Sequence, residues 1–317
     1  MATRAKPIAL APEQEAELER LLSRLTLTDK LGQMFQIDWR AFQSGGGGNL
    51  CVQLIRCLRG GAPPLSEHDG AVLAAVTATS LGSVLGGGGA HPIPNTPEAW
   101  CRQMAGLQRA AAKSSAGVSL LIGSDTVHGQ VNLRDATLFP HHIAQGCMRD
   151  AEGAPDAALV AELASLAARE SYACGVNWLF TPCVAVAQDL RWGRAYESFS
   201  EDPALVAALG AAEVRGVQEE SGVPVAACLK HWLGDGGTAF GTGSKRFGWT
   251  GAPVGVLDQG DTQCTDAELR SEHLAAYGGG LLAGSYTVMV SYSAVNGAPC
   301  VTTGGRTGGR INPLPLG

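Results

Sequence analysis

The chain has 317 residues, a formal net charge of −6, 45% hydrophobic and 16% charged residues, and 43 glycines. That apolar content excludes a disordered chain, and the scattered lysines and arginines leave no basic stripe to neutralise phosphates, which excludes a nucleic-acid partner. The length suits one large single-domain core, since an α/β barrel runs to about 250 residues.

The N-terminal stretch "MATRAKPIALAPEQEAELERLL" has no apolar run of signal-peptide length, and its glutamates argue against an organelle transit peptide. "QMFQID" (33 to 38) reads as a first buried strand. From Ala41 to about Ser80 no clear periodicity follows, and the stretch reads as an insertion with a flexible tetraglycine at 45 to 48. Residues 70 to 97 are uncharged over much of their length but too diluted by Gly, Ser and Thr to span a membrane. "LGSVLGG" (81 to 87) and "VSLLIGSD" (118 to 125) are the next two strands. His141 and His142, after Pro140, read as loop packing rather than as metal ligands. Leu159, Leu163 and Leu166 mark one helix face, closed by Gly175 as a C-cap.

"NWLFTPCVAV" (177 to 186) is a fourth strand, and Asp202-Pro203 opens a helix with Leu205, Leu209 and Ala212 on one face. "VPVAACLKHW" (223 to 232) is a fifth strand; "TDAE" (265 to 268) fits a capping box; "YTVMVSYS" (286 to 293) is a sixth strand. Strand and helix in alternation imply parallel pairing with right-handed crossovers. Polar residues recur at strand after strand, at Asp38, Asp125, Lys230 with His231, and Tyr292. A barrel gathers its site from several strand ends, whereas a dinucleotide fold concentrates its signal in one glycine-rich turn, so the expectation is an α/β fold of the (β/α) TIM-like barrel type.

No phosphate-binding loop, nucleophile elbow or zinc spacing is present, so neither a cofactor nor a metal is expected. The nine cysteines include no CxxC pair. They read as free thiols, and with the leaderless N-terminus they favour a reducing, cytoplasmic setting. Lys230 and His231 pose a geometric problem, because adjacent residues on a regular strand point to opposite faces. Both can serve one site only if the loop begins at this pair, a break that Gly234, Gly236 and Gly237 make easy.

"KLGQMFQID", "GSVLGGGG", "GSDTVHGQVNLRDATLFPHHIAQG", "FTPCVAVAQDLRWGRAYESFSEDP", "LKHWLGDGGT", "DQGDT" and "VMVSYSAVNG" resemble, in order, the blocks of glycoside hydrolase family 3, in its β-glucosidase and exo-β-glucanase branch. The resemblance implies an N-terminal extension over 1–25, a barrel domain over 26–297 with the insertion at about 41–80, and a divergent tail over 298–317. It further implies a substrate pocket for a small carbohydrate, the non-reducing-end sugar of a β-glucoside or β-glucan. Asp125, Arg194, Lys230 and His231 would bind its hydroxyls, with Met289 and Tyr292 on the wall. Arg194 is also placed to pair with Glu197 or Glu201.

The family's retaining reaction needs two carboxylates about 5 Å apart, a nucleophile and an acid/base. The "S-D-W"-like block that carries the family's nucleophile does not occur here, and only about six of eight barrel strands are visible. No residue of this chain is therefore assigned a catalytic role. The alternatives to an active glycosidase are an inactive fragment, a non-catalytic sugar-binding relative, or a site completed by another chain.

Overall fold

The computed structural model describes residues 10–38, 69–86, 91–243 and 256–301. Most of the insertion, the tetraglycine at 45–48 and the tail beyond 301 lie outside them. The described chain groups into two compact units. The first comprises residues up to Thr126, Gln130–Thr137 and Arg169–Leu179; the second comprises Val127–Gly129, Leu138–Ala168 and the chain from Phe180.

The first unit opens with helices α1 (Pro12–Arg24) and α2 (Leu27–Gln33). Thr26 caps α2, accepting from the Asp29 N–H while Asp29 Oδ2 accepts from the Thr26 N–H at 3.0 Å. The other Asp29 oxygen accepts from Ser80 Oγ at 2.7 Å and from Ser115, which ties the cap to two distant turns. Strands β1 (Gln36–Asp38), β2 (Ser83–Gly86), β3 (Leu121–Ser124) and β4 (Trp178–Leu179) form a parallel sheet in that order, Asp38 opposite Leu85 and Gly86 opposite Ser124. Helices α3 (Asp69–Thr79) and α4 (Pro97–Ala112) complete this unit, and Val84, Trp100, Leu107, Leu120 and Ile122 are at most 1% exposed.

Helix α3 lies at the end of the stretch read as an insertion without clear periodicity. Its sequence, DGAVLAAVTAT, is apolar on nearly every side, so no stripe of 3.6-residue period marks it as a helix. Gly175 behaves as read: its φ is +93°, and the N–H groups of Gly175 and Val176 close on the carbonyls of Tyr172 and Ser171.

In the second unit, helices α5 (His142–Gln145), α6 (Ala157–Ala173, here up to Ala168) and α7 (Pro203–Arg215) accompany β5 (Cys228–Trp232). The segment after Phe180 runs beside β5: the N–H groups of Cys228 and Lys230 donate to the carbonyls of Thr181 and Pro182, and Val184 N–H donates to the Lys230 carbonyl. Beyond it come β6 (Asp261–Thr262), α8 (Asp266–Glu268), a wider π turn over Leu269–Leu274, α9 (Ala275–Leu282), β7 (Thr287–Val290), β8 (Ala294–Val295) and β9 (Ala298–Pro299). The capping box forms as read, Thr265 Oγ1 accepting from Glu268 N–H at 3.2 Å and Glu268 Oε2 accepting from Thr265 N–H at 2.8 Å. Asn296 and Gly297 both have positive φ, and they make the two-residue turn that lays β9 antiparallel on β8.

Two details of this unit shape the site. Of the face of α7 read in the sequence, Leu209 and Ala212 are fully buried and Leu205 is half-buried; Val206, Gly210, Glu213 and Val214 are buried with them. A carboxylate therefore points into the interior. Strand β5 also pairs parallel with β7, but the register slips: Lys230 faces Met289 and Trp232 faces Val290, so His231 is an extra residue in the strand. Such a bulge re-aims side chains and lets neighbouring residues share a side.

Candidate functional site

Of the residues singled out in the sequence, Arg194, Lys230 and His231 are brought together in the second unit. Arg194 precedes a short 3-10 turn, Ala195–Glu197, that holds its ion-pair partner three residues on. Arg194 Nε donates to Glu197 Oε1 at 2.6 Å and Nη2 to Oε2 at 2.8 Å, a two-pronged pair. Of the two partners anticipated for this arginine, Glu197 is the one that forms the pair. Lys230 Nζ lies 3.5 Å from Glu197 Oε2, its side chain 2% exposed. Burial acts to raise the pKa of Glu197, but Arg194 and then Lys230 outweigh it and hold the carboxylate at about 2.

His231 joins the cluster through Arg194. Arg194 Nη2 is 3.1 Å from His231 Nε2, and a guanidinium can only donate, so Nε2 accepts and the proton of the neutral ring sits on Nδ1. Nδ1 faces Asp235 Oδ2 at 2.9 Å. Burial lowers the imidazole's proton affinity and outweighs the Asp235 charge, in keeping with that neutral form. Asp235 Oδ1 in turn accepts from Ser293 Oγ at 3.0 Å and from Ser291 Oγ, both just after β7. Burial would raise the pKa of Asp235, but the bond from His231 prevails and it lies below the usual aspartate value.

The bulge resolves the problem posed by the adjacent pair: with His231 inserted, both side chains meet the Arg194–Glu197 pair although the strand continues to Trp232. The expectation that a loop must begin at Lys230 is corrected accordingly. Met289, opposite Lys230 on β7, is half-buried, and Tyr292 is 80% exposed. Asp125 directly follows β3 in the first unit, half-buried, its carbonyl accepting from Asn132 Nδ2 at 2.8 Å.

The structure adds residues that the sequence did not mark: Asp235, Ser291 and Ser293 answer the charged groups beside the anticipated Glu197. Behind them His142 is fully buried, Nδ1 2.7 Å from the Glu197 carbonyl and Nε2 3.0 Å from Glu213 Oε2, while Glu213 Oε1 accepts from Thr181. The reading of His142 as loop packing is thereby corrected: it lies in α5 and answers the inward carboxylate of α7. A bias toward polar residues at i, i+3, as at Arg194 and Glu197, was the available signal for the first pair. The His142–Glu213 contact has no local signature.

Among the described residues no group of three or more His, Cys, Asp or Glu side chains is disposed to hold a metal. Cys101, Cys147, Cys174, Cys183, Cys228, Cys264 and Cys300 are free thiols, and burial pushes Cys183 up to about 12, so it is no nucleophile at neutral pH. No described helix is long and apolar enough to cross a membrane. What remains is an arrangement of fixed donors and acceptors, with Arg194 its most open member at 34% side-chain exposure. Such a set suits a neutral ligand rich in hydroxyls, each of which both donates and accepts.

Known proteins resemble this chain over most of its length. A lysosomal beta glucosidase of Dictyostelium discoideum is 26% identical over 302 residues, 90% of this chain and 32% of that protein. A periplasmic beta-glucosidase of Salmonella typhimurium is 26% identical over 92% of this chain and 31% of its own length. The chain thus spans about a third of the curated relatives it matches. Their names place those two proteins in a lysosome and a periplasm, so they lend the cytoplasmic expectation no support. Among solved structures, exo-1,3/1,4-beta-glucanase from a Pseudoalteromonas species superposes with a TM-score of 0.69 at 30% identity, covering 92% of this chain and 32% of that one. A beta-glucosidase from Listeria innocua in complex with glucose gives 0.64 at 28% identity over 90% of this chain and 34% of that one. The fold is accordingly a TIM-barrel-like α/β fold. Residues 26–304 match the family model described as the glycosyl hydrolase family 3 N terminal domain, and the chain belongs to that family.

Proposed function

We propose that this chain is the sugar-holding part of a β-glucosidase or exo-β-glucanase that removes non-reducing-end β-D-glucosyl residues with retention. The observation that carries the reading is the meeting of Arg194, Lys230 and His231 around Glu197, brought about by the bulge in β5. Arg194 offers its remaining N–H edge to sugar hydroxyls, His231 lies against that guanidinium as part of the same pocket, and Lys230 closes the floor beside Glu197. Met289 and Tyr292 would stand on its wall, and Asp125, at the end of β3 in the first unit, is a candidate sugar ligand to be tested by substitution. The barrel would be an incomplete one, of about six of eight strands, within the domain 26–297.

Charged partners suit a pyranose because each vicinal hydroxyl pair can donate to a carboxylate and accept from a cation, and such bonds are stronger than neutral ones. The cluster's own carboxylates are poor candidates for the nucleophile. Glu197 is clasped by Arg194 and Lys230, and Asp235 by His231, Ser291 and Ser293, so the charge of each is already answered by fixed donors and its nucleophilicity is weakened. The nucleophile and acid/base are assigned outside these residues. The same pinning favours, as a second reading, a relative that binds sugar without hydrolysing it.

The test is calorimetric titration of the folded 317-residue chain with glucose, alongside a chromogenic β-glucoside and a covalent fluoroglucoside probe read by mass. Glucose binding without labelling of any residue supports the assignment. Vigorous hydrolysis with a labelled Glu197 or Asp235 would show that a group assigned to binding is the nucleophile, and absence of glucose binding would sink the sugar site.

A further inference from the structure

We propose that His142 is a positioning residue of this site: held as a cation between Glu213 and the Glu197 carbonyl, it fixes the 3-10 turn and, through Glu197, the directions of Arg194 and Lys230. The inference rests on reading the cluster as a sugar site. His142 is fully buried, with Nδ1 2.7 Å from the Glu197 carbonyl and Nε2 3.0 Å from Glu213 Oε2, so each ring nitrogen faces an acceptor and the doubly protonated form suits the geometry. Nδ1 addresses the backbone of the residue whose carboxylate receives both prongs of Arg194, and the ring lies flat on Phe199 at 4.3 Å. Glu213 is fixed on its far side by Thr181, so the chain of contacts runs from the strand segment after Phe180 through α7 and α5 to the turn that carries Arg194.

The charged and titratable groups facing His142 are Glu213 from α7, Glu197 from the 3-10 turn, Lys230 from β5 and its neighbour His141. Burial opposes its charge, but Glu213 prevails and the imidazole holds its proton above the usual histidine value. When one proton leaves at higher pH, the remaining N–H stays with the Glu213 carboxylate, Nδ1 turns a lone pair toward the Glu197 carbonyl, and the geometry that aligns Glu197 loses its support. His231, its proton affinity lowered by burial, titrates on the acid side and contributes no alkaline break.

Two readouts test this on the full chain. The first needs no ligand: the Arg194 Nε–H resonance, which reports the bond to Glu197, followed by NMR from about pH 6 to about pH 10, a window spanning the usual histidine value and the range above it. It is expected to shift with one alkaline titration in the wild type, to lose that titration in His142→Gln, and to show it at lower pH in Glu213→Gln. The second is glucose affinity, expected to fall about tenfold across the same titration and to be low and pH-independent in His142→Gln. An Arg194 resonance that ignores both substitutions overturns the positioning role whether or not glucose binds. If the resonance behaves as expected and glucose binds no variant and no wild type, it is the sugar reading that fails. Should His142→Gln not fold, the displaced titration in Glu213→Gln decides alone.

Discussion

Arg194 and Glu197 grip each other by two parallel hydrogen bonds, 2.6 and 2.8 Å, within a single 3-10 turn, and Lys230 approaches the same carboxylate from β5. One buried carboxylate thus answers two cations. Removing it leaves both uncompensated, which is far costlier than losing a surface pair.

Glu197→Gln is therefore expected to destabilise the second unit by about 3 to 5 kcal/mol, read by urea denaturation at neutral pH. The wild type should also carry an acid-sensitive increment that the variant lacks. The native carboxylate titrates at about 2 against 4.5 unperturbed, so its contribution is complete above 4.5 and is lost as pH falls through about 2. Equal slopes of stability against pH in the two proteins between those values would contradict the pairing.

His231 gives the opposite kind of histidine behaviour from His142. Its folded proton affinity is lowered, so below the unperturbed value of 6.5 the unfolded chain takes up a proton that the folded chain resists. Stability should fall as pH drops from 6.5 toward the folded value, and His231→Asn should flatten that fall. Melting temperatures between about pH 5 and about pH 8 give the comparison. His142 should add a loss on the alkaline side, because its folded value is raised and its contribution fades as pH climbs through it.

Gly146 makes a further, purely steric case. A Cβ there would lie 1.8 Å from the Phe199 carbonyl oxygen, and Phe199 is the ring that stacks on His142. Gly146→Ala is expected to cost about 1 to 3 kcal/mol through forced backbone displacement. Loss of the His142 ring-current shift on its neighbours should accompany it; a variant as stable as the wild type would refute the close approach.

Sugar binding separates contacts from scaffold. Arg194→Ala and Asp125→Ala are each expected to lower glucose affinity at least about tenfold in calorimetry, since each leaves ligand hydroxyls without a charged partner, worth about 1.5 to 3 kcal/mol. Tyr292→Ala should have the smaller effect, given its 80% exposure. Unchanged affinity in Asp125→Ala would remove Asp125 from the site.

Features fixed by neighbours in the chain were readable from the residues alone. The Thr265–Glu268 box, the left-handed Gly175 and the six apolar runs depend on local capping, local φ preference and side-chain alternation, so a short window contains their cause. The family blocks likewise named Arg194, Lys230 and His231, and Glu197 was one of two expected partners of Arg194, Glu201 the other; the structure chose between them.

Tertiary packing alone decided the rest. Helix α3 carries no stripe because it is apolar nearly all round, so only its neighbours give it a direction. The inward turn of Glu213 and the use of His142 were settled by one another across two helices, because a buried carboxylate must find a donor wherever the fold supplies one. The slip at His231 was set by β7, whose register decides where the extra residue goes and so turns Lys230 and His231 toward one carboxylate–guanidinium pair, a long-range pairing that no window of sequence around them contains.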